Sequence, residues 1–217
     1  MIFEAKKISK YFDKARILNN VDISVEKGEI ISICGASGSG KTTLLNILGL
    51  IDLPTQGMVE YYNNLRYDDF KSRKRVNTIG YIFQFHHLLS EFNVVENLVI
   101  PQLMSGKNHD ESLSHATELL DFIDLESISR RYPSEISGGE RQRIAVLRGI
   151  INRPEIVFAD EPTGNLDNDN SLFIIKLLSD LRDKFNISFV IATHDTQVTK
   201  FSEKTFYISD GELKKTL

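Results

Sequence analysis

The eight residues Gly35, Ala36, Ser37, Gly38, Ser39, Gly40, Lys41 and Thr42 have the composition of a phosphate cradle. Two glycines stand with four residues between them, and a lysine and a hydroxyl residue follow directly. Glycine lets successive backbone amides turn toward phosphate oxygens, and a helix opening behind the loop adds the positive end of its dipole. Lys41 would place a point charge on the β- and γ-phosphates. Thr42 would offer a hydroxyl to Mg²⁺, with Thr43 beside it at the phosphates. A ligand-free glycine turn between strand and helix would require neither Lys41 nor Thr42 in register.

Such a loop leaves kinases, GTPases and ATPases open, and a second group of residues narrows the choice. The run Ile156-Val157-Phe158-Ala159 leads into Asp160 and Glu161, so a buried strand delivers two carboxylates at its C-terminal end, where open α/β sheets bind ligands. Asp160 is placed for the Mg²⁺ shell, and Glu161 for orienting a water in line with the γ-phosphate. Water activation favours hydrolysis over transfer to an acceptor. Ile187–Ala192 is a further strand candidate ending in Thr193, His194 and Asp195, which puts His194 at the same edge, within reach of a γ-phosphate.

These groups need strands to carry them. Short apolar, β-branched runs recur at Ile2–Ala5, Val21–Val25, Ile30–Cys34, Met58–Tyr62, Ile79–Phe83, Ile156–Asp160, Ile187–Ala192 and Thr205–Ile208. Several are continuous rather than alternating, as strands covered on both faces of a parallel sheet are. Between Phe92 and Asn152 helical spacing takes over, with Leu113, Ala116, Leu119, Leu120 and Ile123 as one apolar stripe. The expected fold is α/β: a P-loop core with a mostly parallel sheet over 1–91 and 153–217, and a helical insertion over 92–152. An antiparallel β lobe is expected near the N-terminus, with Asn19, Asn20 and Gly28 as turn residues.

At 217 residues, 41% hydrophobic and 26% charged, the chain reads as one ordinary globular domain. Its net charge of -4 supplies no basic field for nucleic acid. The one basic run, Lys71, Arg73, Lys74 and Arg75, reads as a solvated helix face. A single cysteine, Cys34, excludes an internal disulfide and reads as a small packed hydrophobe. No run of about 18 apolar residues and no signal-peptide pattern occurs, so any membrane role is expected to come through a partner.

Ile136-Ser137-Gly138-Gly139-Glu140-Arg141-Gln142 closely resembles the signature of ABC ATPases, and the chain resembles that family over essentially its whole length. Ile136 replaces the usual leucine and Glu140 the commoner glutamine, while Ser137, Gly138 and Gly139 are intact. The resemblance implies that Tyr11 stacks on adenine, that Gln84 is the Q-loop glutamine near nucleotide and metal, and that Asn165-Leu166-Asp167 is the D-loop. It implies that Ser137, Gly138 and Gly139 of one copy close over ATP on the phosphate loop of a second, in a two-fold homodimer. Within the family, Phe83-Gln84-Phe85-His86-His87-Leu88-Leu89, Gly164-Asn165-Leu166-Asp167 and Ser137–Arg143 resemble the LolD family, the ATP-binding subunits of lipoprotein-releasing transporters. Subunits of macrolide exporters and of the cell-division complex share parts of this pattern. The resemblance implies integral membrane partners that bind the lipoprotein, a place on the cytoplasmic face of the inner membrane, and contact of the His86-His87 region with those partners. A soluble ABC protein acting on DNA or ribosomes, and a P-loop small-molecule kinase, are the competing readings.

Overall fold

The continuous apolar runs become the centre of the molecule. In the computed structural model, which describes residues 1–65, 73–164 and 166–215, they form β3 (Ile30–Cys34), β6 (Ile156–Asp160) and β7 (Ser188–Thr193). Every residue of these strands except Cys34 is buried. Alternate side chains serve opposite faces. Ile156 and Phe158 join a cluster with α1 (Lys41–Leu48), while Val157 and Ala159 join another with α6 (Asn168–Phe185). Burial pushes the Cys34 thiol up, which keeps it protonated.

The main sheet runs in the order β5-β6-β7-β3-β8-β9, with β5 at Ile79–Ile82, β8 at Lys204–Ser209 and β9 at Glu212–Lys215. All neighbours are parallel except β8 and β9. The segments leaving β5, β6, β7 and β3 therefore emerge side by side at one edge. That edge receives Gln84, Asp160 with Glu161, His194, and the glycine loop.

The antiparallel lobe has the order β2-β1-β4, from β1 (Phe3–Phe12), β2 (Ala15–Val25) and β4 (Gln56–Tyr61). Both early strands are longer than their apolar cores, because solvent-facing positions such as Lys6, Lys7 and Asp22 interrupt the hydrophobic run without interrupting the ladder. Asn19 and Asn20 lie inside β2 and do not form its turn. Asn20 has φ 49° at a register shift and its amide donates to Ser9 Oγ at 3.0 Å, so the asparagine chemistry serves a bulge. The hairpin turn falls instead at Asp13, with φ 51°. The polar edge strand β9 had no apolar signal to announce it.

Between Ile82 and Ile156 the chain is helical, with α3 (Val94–Met104), α4 (His109–Phe122) and α5 (Gly138–Ile150) and no strand. On the expected stripe Ala116, Leu119, Leu120 and Ile123 are buried, whereas Leu113 is exposed, its turn being buried through Ser112 instead. Of the basic run, Lys71 lies outside the described residues. Lys74 is exposed, but Arg75 in α2 (Arg73–Thr78) is half-buried and donates to the Gly49 carbonyl at 3.2 Å, so this is not a uniformly solvated face. Among the described residues no helix is long and apolar enough to cross a membrane.

Candidate active site

The glycine loop joins β3 to α1 by a path few residue types could follow. Gly38 and Gly40 have φ of 76° and 101°, and a Cβ on Gly40 would stand 3.2 Å from the Ile17 and Leu18 side chains. The Lys41 side chain, 8% exposed, folds back along this loop. Its Nζ donates to the Gly35 carbonyl at 2.8 Å and the Ala36 carbonyl at 3.1 Å, and lies 3.8 Å from Glu161 Oε1.

Thr42 Oγ1 donates to Asp160 Oδ2 at 2.7 Å. Burial holds the Asp160 carboxyl above its ordinary range and the neighbouring Glu161 charge adds to this, while the Thr42 hydrogen bond and Lys41 oppose it. The arrangement suits a hard cation: a hydroxyl and a carboxylate side by side, all oxygen, with a carboxylate that burial leaves in need of positive charge. Replacing Asp160 by Asn keeps an acceptor for Thr42 and removes the buried charge. We expect Asp160→Asn to melt at or above the wild-type temperature while Mg²⁺-dependent turnover falls by about 10²-fold, read by calorimetry and phosphate release.

Glu161 has φ 47°, a left-handed conformation that costs a branched-free but non-glycine residue about 1 kcal/mol or more. Two backbone bonds hold it there: its amide donates to the Ala192 carbonyl at 2.8 Å, and its carbonyl accepts from the Gly164 amide at 3.0 Å. The turn aims the carboxylate across the strand ends, where Oε2 meets His194 Nδ1 at 2.9 Å and accepts from the His194 amide at 3.3 Å. Gly164 permits this turn, since a Cβ there would press on Glu161 Cβ and its carbonyl at 3.2 Å.

Loop, acids, Gln84 and His194 together line one cleft of about 580 Å³, a size that accepts a small organic ligand. Gly35, Ala36, Ser37, Gly38, Gly40, Lys41, Thr42 and Thr43 all reach it, whereas Ser39 sits behind the loop in an adjoining depression. Of the two aromatics at the end of β1, Phe12 lines the cleft together with Ile17, and Tyr11 does not. Consecutive strand residues face opposite sides, so only one of the two aromatics at the end of β1 can look toward the phosphate loop. Phe12 is 51% exposed there, with Lys10 Nζ 5.2 Å from its ring centroid. That Tyr11 and Phe12 oppose each other was visible from the sequence; which one faces inward was not.

Residues 18–164 match the protein family described as ABC transporter. The chain belongs to the ABC transporter family. It is 42% identical over 222 residues to the lipoprotein-releasing system ATP-binding protein LolD of Ehrlichia ruminantium (strain Gardel), covering 99% of this chain and 97% of that one. It is 43% identical over 213 residues to LolD of Cytophaga hutchinsonii, covering 97% of both. A dimeric structure of a post-hydrolysis state of the ATP-binding cassette MJ0796 bound to ADP and Pi superposes with a TM-score of 0.87 at 33% identity, over 99% of this chain and 98% of the other. The chain is thus an ABC ATPase that binds ATP and couples its hydrolysis to transport, and the kinase reading falls.

The ABC signature stands elsewhere on the molecule. Ser137 is the N-cap of α5, its Oγ accepting from the Glu140 amide at 3.2 Å while Glu140 Oε2 accepts from the Ser137 amide at 2.7 Å. Glu140, an exception to the family pattern, thus completes a reciprocal cap. Gly138 and Gly139 form the first turn, and a Cβ on Gly139 would lie 2.5 Å from Asn170 Oδ1 in α6. None of Ser137, Gly138 and Gly139 lines the cleft. Of the D-loop, Asn165 lies outside the described residues; Asp167 caps α6 by accepting from the Asn170 amide at 2.8 Å.

Proposed function

We propose that this chain is the ATP-hydrolysing subunit of a membrane transporter that releases lipoproteins from the inner membrane toward the outer membrane, working as a pair of copies at the cytoplasmic face. The observation that carries the paired arrangement is the split of the phosphate-binding groups. Lys41, Thr42, Asp160, Glu161 and His194 share one cleft, while Ser137, Gly138 and Gly139 open a helix outside it. A helix N-terminus with free amides is an anion site in search of a phosphate, and a second copy can supply one. The dimeric cassette bound to ADP and Pi supports that geometry, and the near full-length LolD relatives support the lipoprotein reading.

In this reading the loop amides and Lys41 hold the β- and γ-phosphates, and Thr42, Asp160 and Gln84 hold Mg²⁺, which when bound neutralises charge on the phosphate oxygens. Glu161 keeps Oε2 tied to His194, leaving Oε1 to accept a hydrogen bond from the attacking water. His194 meets Glu161 through Nδ1, which leaves Nε2 to face a γ-phosphate oxygen. Phe12 offers the adenine a ring face at the end of β1, in place of Tyr11.

Phe12→Ala is expected to weaken ATP binding by about tenfold, with Tyr11→Ala within about twofold of wild type, measured by nucleotide titration. The opposite ranking would return the adenine to Tyr11. The transport reading is tested by gentle solubilisation of membranes, recovery of the associated membrane subunits with this chain, and reconstitution in vesicles loaded with a lipid-anchored lipoprotein. ATP-dependent lipoprotein release supports it; turnover without release, with recovery of a different class of subunit, overturns it.

A further inference from the structure

Arg148, in the last turn of α5, has no part in nucleotide chemistry by its position, yet its guanidinium is committed. NH1 donates to the His87 carbonyl at 2.6 Å and NH2 to the His86 carbonyl at 2.7 Å. Among the described residues no carboxylate offsets its charge, and burial alone lowers its proton affinity. A half-buried cation that is satisfied by two successive main-chain carbonyls fixes the path of that main chain, because the planar fork donates along two set directions. The turn it grips is unusual, with His87 at φ 47°.

The preceding segment is anchored by the next residue of the same helix. A Cβ on Gly149 would stand 2.9 Å from Ile82 Cγ1 and 3.0 Å from the Tyr81 carbonyl, so α5 lies directly against the end of β5. A Cβ on Gly80 would meet the Gly149 carbonyl at 2.1 Å, so neither glycine tolerates a side chain without separating helix from strand. Gln84 sits between these anchors, two residues after Ile82 and two before His86. Two residues of extended chain span only about 7 Å, so the position of Gln84 in the cleft follows from where α5 holds Ile82 and His86. The same helix is registered to the acids: Gln142 Nε2 donates to the Pro162 carbonyl, one residue past Glu161, at 2.7 Å.

We propose that Arg148 is a positioning residue for ATP hydrolysis, clamping the His86-His87 turn so that Gln84 is presented to the cleft in register with Glu161. The proposal rests on the reading of Gln84 as a cleft residue. Arg148 acts through Gln84 and leaves the phosphate loop untouched, so its loss reduces turnover and not ATP affinity.

The test is a double-mutant cycle on the full chain, with Gln84→Ala, Arg148→Ala and the double variant, reading phosphate release and binding of a fluorescent ATP analogue. Each single variant is expected to lose about tenfold in kcat with analogue affinity within about twofold of wild type, and the double variant to be no slower than Gln84→Ala within about twofold. A double variant slower by the product of the two single losses, or Arg148→Ala with wild-type kcat, overturns the clamp. Gln84→Ala with wild-type kcat overturns the reading of Gln84 itself, and the clamp with it. Arg148→Lys keeps the charge and the aliphatic stem but not the two-pronged donor. It carries the same cycle if Arg148→Ala does not fold, and full turnover in Arg148→Lys would refute the need for a fork.

Discussion

Glu161→Gln is expected to bind ATP as the wild type does, to hydrolyse it about 10³-fold more slowly, and to accumulate as an ATP-bound dimer. The substitution changes almost no volume. It removes the charge that polarises water while leaving an oxygen and a nitrogen near His194, whose Nδ1 stands 2.9 Å from the native Oε2. The left-handed backbone at φ 47° is held by main-chain bonds to Ala192 and Gly164, so it survives the change. With chemistry stopped, the γ-phosphate persists between the loop of one copy and the signature helix of the other, and the closed state is retained. Phosphate release measures the first effect and sizing under saturating MgATP the second. A variant with wild-type turnover would remove Glu161 from its role; an inactive variant that stays monomeric would instead count against the shared site.

Lys41→Ala should fail earlier, at binding. Lys41 is 8% exposed and its ammonium is held by the carbonyls of Gly35 and Ala36, so truncation removes the loop's only side-chain cation and leaves two carbonyls without that donor. A charge-assisted contact of this kind contributes about 1.5–3 kcal/mol, which corresponds to a loss of about 10- to 100-fold in ATP affinity. Turnover at fixed low ATP should fall further, by about 10³-fold, because the charge on the γ-phosphate is also lost in the transition state. Lys41→Arg is expected not to rescue, since a planar guanidinium cannot fold into the slot that a compact ammonium occupies. Nucleotide titration separates this variant from Glu161→Gln: the one binds poorly, the other binds well and does not turn over. Normal affinity and turnover in Lys41→Ala would refute the reading of the loop.

The two variants probe the part of the site that was most legible in the sequence. The loop from Gly35 to Thr42 and the pair Asp160-Glu161 are each local: a few consecutive residues leaving a strand whose continuous hydrophobicity marks it as central. Other features were legible only as lists of residues. Gln84 and His194 were recognisable at strand ends, but their meeting with Asp160 and Glu161 depends on β5, β6, β7 and β3 being neighbours. Arg148 carried no signal at all, because an arginine on a helix reads as solvent-facing until the helix is laid on β5, and Gln142 was legible as part of the signature but not as a donor to the Pro162 carbonyl.

The sequence by itself determined the class of chemistry, the α/β core and the family, since glycine spacing, adjacent carboxylates and the signature are short-range patterns that backbone sterics and phosphate charge make meaningful. Tertiary structure decided which groups share a cleft. It placed Phe12 and not Tyr11 inside, because strand alternation admits one of two neighbours. It set Ser137, Gly138 and Gly139 outside, because α5 begins away from the strand ends that carry the phosphate loop. It also brought Arg148 onto the His86-His87 turn, because Gly80 and Gly149 let helix and strand touch. Order along a chain fixes neither the order of strands in a sheet nor the face a helix buries, and those two choices assemble the site.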